Sequence, residues 1–141
     1  MTLLTREHLQ QAATTFEKVE VDVSEWGAIN AETGERERTT VFVREMSARE
    51  RSKFEMAGLI SKNRKVKFDD GHDVDAASTM RERLAVATCC DADGTLIFKP
   101  EDVEWLRDRP VKVLERIFEA ALKINRMKKE DVEDEQETVK N

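Results

Sequence analysis

The sequence predicts an α+β fold dominated by helices, with a small antiparallel β-hairpin followed by several helices. Two runs of alternating apolar and polar residues in the first third of the chain indicate the hairpin. Beyond the hairpin, apolar residues recur at helical spacing, most clearly after Pro110. With 141 residues, the chain is long enough for one domain with its own core.

Short local patterns predict the first helix and the hairpin. Thr5 suits the N-cap of a helix over residues 6–14. Every second residue from 19 to 23 is valine, which is typical of a half-buried strand. The alternating run 39–44 predicts its antiparallel partner. Trp26 ends the first strand, and it is either a lid on the core or the centre of a contact surface.

A capping box and a polar stretch organise the middle of the chain. Ser47 and Glu50 have capping-box spacing, so a helix is expected from there to about residue 60. Residues 61–73 are almost wholly polar and predict a flexible linker or a poorly defined extended segment. Asp73 or Asp75 then suits the cap of a helix that continues to about residue 90.

Two prolines mark the start of the last helices. Residues 91–94 predict a turn, and the apolar residues 95–98 predict a short strand or extended segment. Pro100 and Pro110 each suit the first position of a helix, because the N–H that proline lacks has no partner there. The helix after Pro110 carries the widest apolar stripe and is expected to face the core. The stripe consists of Val113, Leu114, Ile117, Phe118, Ala121, Leu122 and Ile124.

Charge distinguishes the domain from the C-terminal end of the chain. Charged residues make up 38% of the sequence, against roughly 25% in an ordinary soluble domain, which predicts a thin core. Six of the eight residues 130–137 are acidic. We therefore expect a single domain over residues 1–127 and an acidic, solvated or disordered tail over residues 128–141.

Net charge and hydropathy argue against two classes of partner. The chain carries a net charge of −6, whereas nucleic-acid binding begins with a basic surface, and the one basic run at 62–67 is short. No stretch approaches the roughly 18 apolar residues of a membrane span, and the N-terminus lacks a signal-peptide pattern. We expect no nucleic-acid or membrane partner and a location in the cytosol.

The reactive residue types form no catalytic or metal-binding pattern. His8 and His72 are far apart in polar surroundings. Cys89 and Cys90 are adjacent rather than at CxxC spacing, so they are predicted to be small buried hydrophobes in a reducing compartment. The turn at 91–94 is similar to the start of a calcium loop, but Leu96 occupies the sixth position, which requires glycine. The sequence predicts no catalytic, metal or cofactor site and no enzymatic activity.

Several short motifs follow one another over nearly the full length of the chain, apart from residues 61–75. They begin with Leu4-Thr5-Arg6-Glu7, Val19-Glu20-Val21, Glu25-Trp26-Gly27 and Val41-Phe42-Val43-Arg44-Glu45-Met46. They continue with Ser47-Ala48-Arg49-Glu50-Arg51, Phe54-Glu55, Asp91-Ala92-Asp93-Gly94, Leu96-Ile97-Phe98 and Glu101-Asp102-Val103-Glu104-Trp105-Leu106. They end with Leu114-Glu115-Arg116-Ile117-Phe118-Glu119-Ala120-Ala121-Leu122-Lys123-Ile124-Asn125 and Glu130-Asp131-Val132-Glu133. In this order of motifs the chain resembles the siphophage tail assembly chaperones, in their short, non-frameshifted form; residues 28–34 depart from the pattern by lengthening the hairpin connection.

The resemblance implies a non-enzymatic protein that acts in the host cytoplasm during tail morphogenesis and is absent from the mature virion. Its implied client is the tape measure protein, which such chaperones keep soluble until tail tube subunits assemble around it. The tail tube protein is implied as a partner mainly of a longer, frameshifted form, and self-association is implied as well. The resemblance implies no cofactor.

Four residues are candidates for contact with a partner. Leu9 lies in the N-terminal helix, Trp26 closes the first strand, and Val41 and Val43 lie at the expected edge of the hairpin. The alternative function is that of a small structural virion protein, such as a head–tail connector or a tube-associated subunit. Such a protein shares the size, the mixed fold and the self-association.

Overall fold

A computed structural model of the chain describes residues 1–12, 15–63, 66–67, 73–74 and 79–128. In these residues the helix-dominant α+β fold predicted from the sequence is confirmed. The helices are α1 (Arg6–Gln11), α2 (Ala48–Asn63), α3 (Met80–Thr88), α4 (Val103–Leu106) and α5 (Val111–Ile124), with short 3-10 helices at Ser24–Trp26 and Pro100–Asp102. The strands are β1 (Lys18–Asp22), β2 (Thr40–Arg44), β3 (Val66–Lys67), β4 (Asp73–Val74) and β5 (Cys89–Cys90).

Three strands form the main antiparallel sheet, in the order β1–β2–β5. β1 pairs with β2 over its whole length. On the other side of β2, Val43 pairs with Cys89 and Phe42 pairs with Cys90. β2 is therefore a central strand, and the prediction that Val41 and Val43 lie at a sheet edge is wrong. The open edge belongs to β1.

Two helix starts follow the capping patterns in the sequence. Thr5 Oγ1 accepts the N–H of His8 at 3.2 Å, so α1 begins as predicted, although it ends at Gln11 rather than near residue 14. At the start of α2, Glu50 Oε1 accepts the Ser47 N–H at 2.8 Å, and Ser47 Oγ accepts the Glu50 N–H at 3.2 Å. The reciprocal pair satisfies two backbone donors that the first helical turn leaves unpaired.

The stretch predicted as a linker, 61–73, contains regular structure. α2 continues to Asn63, and β3 and β4 pair with each other in antiparallel orientation. Asp73 is a strand residue and the N-cap of α3 is Thr79, so the prediction that Asp73 or Asp75 caps this helix is wrong. Asp75 and the rest of the stretch lie outside the described residues, and the flexibility of the linker stays a prediction.

α3 gives way to a strand and then to the predicted turn. The chain leaves the helix at Cys89 and Cys90 because these residues complete the second side of β2. Asp91 Oδ1 then accepts the backbone N–H groups of Asp93 and Thr95, at 2.9 and 3.0 Å. Gly94 adopts a φ of +86°, which residues other than glycine disfavour. The next residues run back along the strand, where the Ile97 N–H donates to the Cys89 carbonyl at 3.1 Å.

The core lies between α5, the inner face of the sheet and α3. Val43 and Leu84 are fully enclosed in it, and the stripe that the sequence predicts for α5 is buried there except for Ile124, which is partly buried. Cys89 and Cys90 are buried, which confirms their interpretation as small hydrophobes. Burial, with a contribution from Cys90, raises the pKa of the Cys89 thiol to about 12. The buried α5 residues are Val113, Leu114, Ile117, Phe118, Ala121 and Leu122.

A buried polar cluster fastens α2 and α5 to β2. The Arg44 guanidinium donates to both carboxylate oxygens of Glu50, at 2.9 and 2.7 Å, and stacks on the Phe16 ring at 4.3 Å. Asn125, just after α5, accepts the Met46 N–H through Oδ1 at 2.7 Å. These bonds join the end of β2 to the first turn of α2 and hold the connection between them against the end of α5. They therefore fix the direction in which α2 leaves the sheet.

Membrane-spanning and metal-binding features are absent from the described residues. None of the helices in that part of the chain is both long and apolar enough to cross a bilayer. The same part holds no group of three His, Cys, Asp or Glu side chains placed to bind a metal ion. The predicted acidic tail after Lys128 lies outside the described residues.

Candidate partner-binding groove

The four predicted contact residues do not form one exposed surface. Leu9 is 62% exposed on α1, a helix with no buried residue. Trp26 is partly buried against the core, and its indole Nε1 is enclosed with no hydrogen-bond partner among the described residues. Val41 is half-buried on the same side of the sheet. Val43 is 0% exposed, so in the folded chain it packs in the core and offers no surface to a partner.

A different feature, an open groove between α2 and α3, offers the apolar surface that a partner needs. Its volume is about 590 Å³, within the ~300–1,000 Å³ range of typical binding pockets. We call it the α2–α3 groove, and its walls are mainly hydrocarbon. It is lined by Glu50, Lys53, Phe54, Ala57, Arg83, Val86, Ala87, Leu96, Phe98, Pro100 and Val103.

Three elements build the groove from simple spacings. On α2 the lining residues fall at positions 50, 53, 54 and 57, which is one face of a helix. Residues 83, 86 and 87 do the same on α3. The third wall is the extended segment 96–98 with the 3-10 helix that Pro100 begins. The turn at Gly94 directs this segment back past Cys89 and so places Leu96 and Phe98 opposite α2.

An aromatic cluster extends the apolar surface beyond the groove. Phe98 contacts Trp105 edge to face, with ring centroids 6.0 Å apart, and the Arg109 guanidinium lies 5.1 Å from the Trp105 ring. Trp105 is 42% exposed, and its Nε1–H donates to Asp102 Oδ1 at 2.9 Å. The backbone N–H of Lys99 and this indole N–H both hold the pKa of Asp102 below its usual value. Trp and Arg are enriched among the residues that contribute most of the binding energy in protein interfaces, so this exposed pair is suited to partner contact.

Charge is unevenly distributed around the groove. Arg83 lies over the Phe54 ring at 4.8 Å and donates to the Phe54 carbonyl at 2.7 Å, so a cation covers one end of the apolar wall. Lys53 adds a second, exposed cation on α2. The nearby carboxylate of Glu50 is held by Arg44. Two cations, Lys53 and Arg83, therefore lie beside the apolar wall on a chain whose net charge is −6.

Sequence reasoning missed this groove because its walls are distant along the chain. Phe54 and Ala57 were recognisable as a helical pair, and 95–98 as an apolar segment, but no local pattern indicates that they face each other. One signal was present. The apolar run 96–98 is extended, so its successive side chains point to opposite faces. Leu96 and Phe98 share one face and line the groove, whereas Ile97 on the other face is exposed.

Comparisons with known proteins complete the description of the chain. No protein-family model and no curated protein matches it. A solved structure of the bacteriophage HK97 tail assembly chaperone is similar to this chain, with 21% sequence identity and a TM-score of 0.48, over 84% of this chain and 94% of that one.

Proposed function

We propose that this chain is a non-enzymatic chaperone of phage tail morphogenesis. In this proposal it binds apolar helical segments of the tape measure protein and keeps that protein soluble until tail tube subunits assemble around it. The observation that carries the proposal is the open, apolar α2–α3 groove with its exposed aromatic extension at Trp105. The order of motifs in the sequence supports the same function.

The groove suits the apolar stripe of an amphipathic helix. Such a helix inserts side chains at i, i+3, i+4 and i+7 into an apolar channel, and the groove offers Phe54, Val86 and Phe98 as its walls. Each leucine-sized side chain that becomes buried stabilises the complex by about 1.5–3 kcal/mol. Lost rotational and translational freedom offsets much of this gain. Affinity for one segment is therefore modest, as reversible coating of a long client requires.

Charge supports both selectivity and solubility. The exposed cation Lys53 beside the apolar wall favours a client helix that carries acidic residues next to its stripe. The net charge of −6 adds repulsion between coated complexes and so opposes their aggregation. In the proposal the chaperone acts in the host cytoplasm, associates with itself, leaves before the virion is complete, and contacts the tail tube protein mainly through a longer, frameshifted form.

Co-expression with a candidate tape measure protein tests the proposal. We expect the wild-type chain to raise the soluble fraction of the client and to co-purify with it. Ala57→Glu places a carboxylate where an apolar side chain of the client would insert into the α2–α3 groove, and it should reduce co-purified client about tenfold. The matched control is Met56→Glu, which adds the same charge at the neighbouring exposed position of α2 outside the groove lining, and it should bind like the wild type.

Two results would contradict the proposal. If Ala57→Glu, shown by urea unfolding to be as stable as Met56→Glu, retains the client at the wild-type level, then the groove is not the binding site. If the chain is found in purified virions in stoichiometric amount, a structural role as a connector or tube-associated subunit replaces the chaperone role.

A further inference from the structure

The open edge of the main sheet is β1, and its hydrogen-bonding pattern shows which groups face outward. Two bonds flanking the strand fix that pattern: the Val23 N–H donates to Thr39 O at 2.8 Å, and the Glu45 N–H donates to Glu17 O at 2.9 Å. Because inward and outward backbone groups alternate along an edge strand, the odd-numbered residues bond to β2. The N–H and C=O groups of Lys18 and Glu20 therefore point away from the sheet.

These outward groups are available to a further strand. In the described part of the chain, the backbone groups of Lys18 and Glu20 have no hydrogen-bond partner. The available edge ends at Asp22, whose carbonyl accepts from the Arg116 guanidinium at 2.6 Å. Arg116 is held there by Glu25, at 3.1 and 2.7 Å. The free edge is short and is centred on Val19.

Val19 is an apolar residue left uncovered at this edge. It lies on the inner face of the sheet in line with Val21 and Val23, which are buried. Val19 itself is 43% exposed. A strand added beside β1 would cover it, and the covering residue should itself be apolar.

We propose that β1 pairs in antiparallel orientation with β1 of a second copy of this chain, about a two-fold axis at Val19. The two Val19 side chains then face each other as a non-hydrogen-bonded pair, the arrangement in which opposite side chains come closest. Lys18 lies opposite the partner's Glu20, and Glu20 lies opposite the partner's Lys18. The result is one continuous sheet of six strands across the dimer. This inference assigns a surface to the self-association in the proposed function and does not depend on the client groove.

Charge selects this register over its neighbours. Charged side chains usually guard an edge strand against pairing, but opposite signs at Lys18 and Glu20 become complementary when the strand meets its own copy. An axis at Glu20 would oppose two glutamates, and an axis at Lys18 would oppose two lysines. An axis at Val21 would oppose Glu20 and Asp22, both acidic. Of these four axes, only the one at Val19 gives two opposite-charge pairs without opposing any like charges.

Pairing requires one local exchange. In the single chain, Lys18 lies over the Phe42 ring at 5.6 Å, and its Nζ donates to the Ala92 carbonyl at 2.5 Å. In the dimer its Nζ exchanges this carbonyl for the carboxylate of the partner's Glu20. A charge-assisted bond to a carboxylate is stronger than a bond to a neutral carbonyl.

Reciprocal charge reversal tests both the interface and its register. Sedimentation equilibrium of the wild-type chain should show reversible, concentration-dependent dimers. Lys18→Glu opposes acid to acid twice, and Glu20→Lys opposes base to base twice, so each should raise the dimer Kd about tenfold. An equal mixture of the two variants should form heterodimers with a Kd within about threefold of the wild-type value, because both opposite-charge pairs form again. Lys112→Glu, on the exposed start of α5, is the matched control and should dimerise like the wild type.

Each contrary outcome overturns a defined part of the proposal. A wild-type chain that is monomeric at millimolar concentration rules out the dimer. If Lys18→Glu and Glu20→Lys dimerise like the wild type, the β1 edge is not the interface. If the mixture fails to associate although both variants unfold at the wild-type urea midpoint, the axis does not lie at Val19. The groove variant Ala57→Glu should leave the dimer Kd unchanged, which separates this test from that of the proposed function.

Discussion

Replacing Arg44 with methionine would remove the guanidinium of a buried ion pair while keeping most of the side-chain volume. The Glu50 carboxylate would lose two bonds, of 2.9 and 2.7 Å, and keep the Ser47 N–H at 2.8 Å. Breaking a buried pair by removing one partner typically costs about 3–5 kcal/mol. The Glu50 side chain is 26% exposed and can turn toward water, so we expect a cost of about 2–4 kcal/mol at pH 7.

The environment of Arg44 Nε favours the lower half of the range expected for the cost of Arg44→Met. The Arg44 Nε is buried without a hydrogen-bond partner among the described residues, so the native arginine already carries a desolvation cost that methionine lacks. Glu50→Gln should cost less than Arg44→Met, because a neutral amide still accepts from Ser47. The double variant should cost less than the sum of the two, with a coupling of about 1–2 kcal/mol.

The pair also makes stability depend on pH in a definite direction. Burial by itself would raise the pKa of Glu50, but the bonds from Arg44 and Ser47 outweigh it and hold this pKa below 4.5. A carboxyl whose pKa is lowered by folding contributes stability above its unfolded pKa and loses that contribution as the pH falls through the lower folded value. The cost of Arg44→Met should therefore be largest near neutrality and shrink below about pH 4.5.

Urea unfolding followed by circular dichroism, at pH 7 and in acid, measures all of these quantities. The control is Arg81→Met, which removes an exposed pair with Glu115 at 3.4 Å and should cost less than about 1 kcal/mol. Strictly additive costs for Arg44→Met and Glu50→Gln would refute the claim that the two groups interact. A cost of Arg44→Met that is equal at both pH values would refute its electrostatic origin.

Two further substitutions probe the polar cluster and the turn. Asn125→Ala leaves the Met46 N–H without its 2.7 Å acceptor and should lower the free energy of unfolding by about 1–3 kcal/mol, measured with urea; a loss below about 0.5 kcal/mol would show that water replaces the side chain. Gly94→Ala meets no atom within 4 Å, so its cost comes from the backbone at φ +86° alone and should be about 1–2 kcal/mol by thermal unfolding. An unchanged melting temperature would mean that the turn adopts another conformation.

Elements whose signals are local could be predicted from the sequence. The alternating valines give β1, the Ser47–Glu50 spacing gives the start of α2, and the stripe after Pro110 gives α5. In each case the same few residues that form the element also carry its pattern. The α+β class and the buried cysteines follow from such patterns as well.

The sequence by itself thus determined the two hairpin strands, the starts of α1 and α2, and that α5 supplies the core. Only the tertiary structure decided that β2 is central and that Val43 is buried, because Cys89 and Cys90 leave α3 to pair with it across more than forty residues of chain. The same holds for the α2–α3 groove, whose walls come from three separate segments. A periodic pattern shows that a face is apolar, but what covers that face depends on contacts between elements that no local window contains.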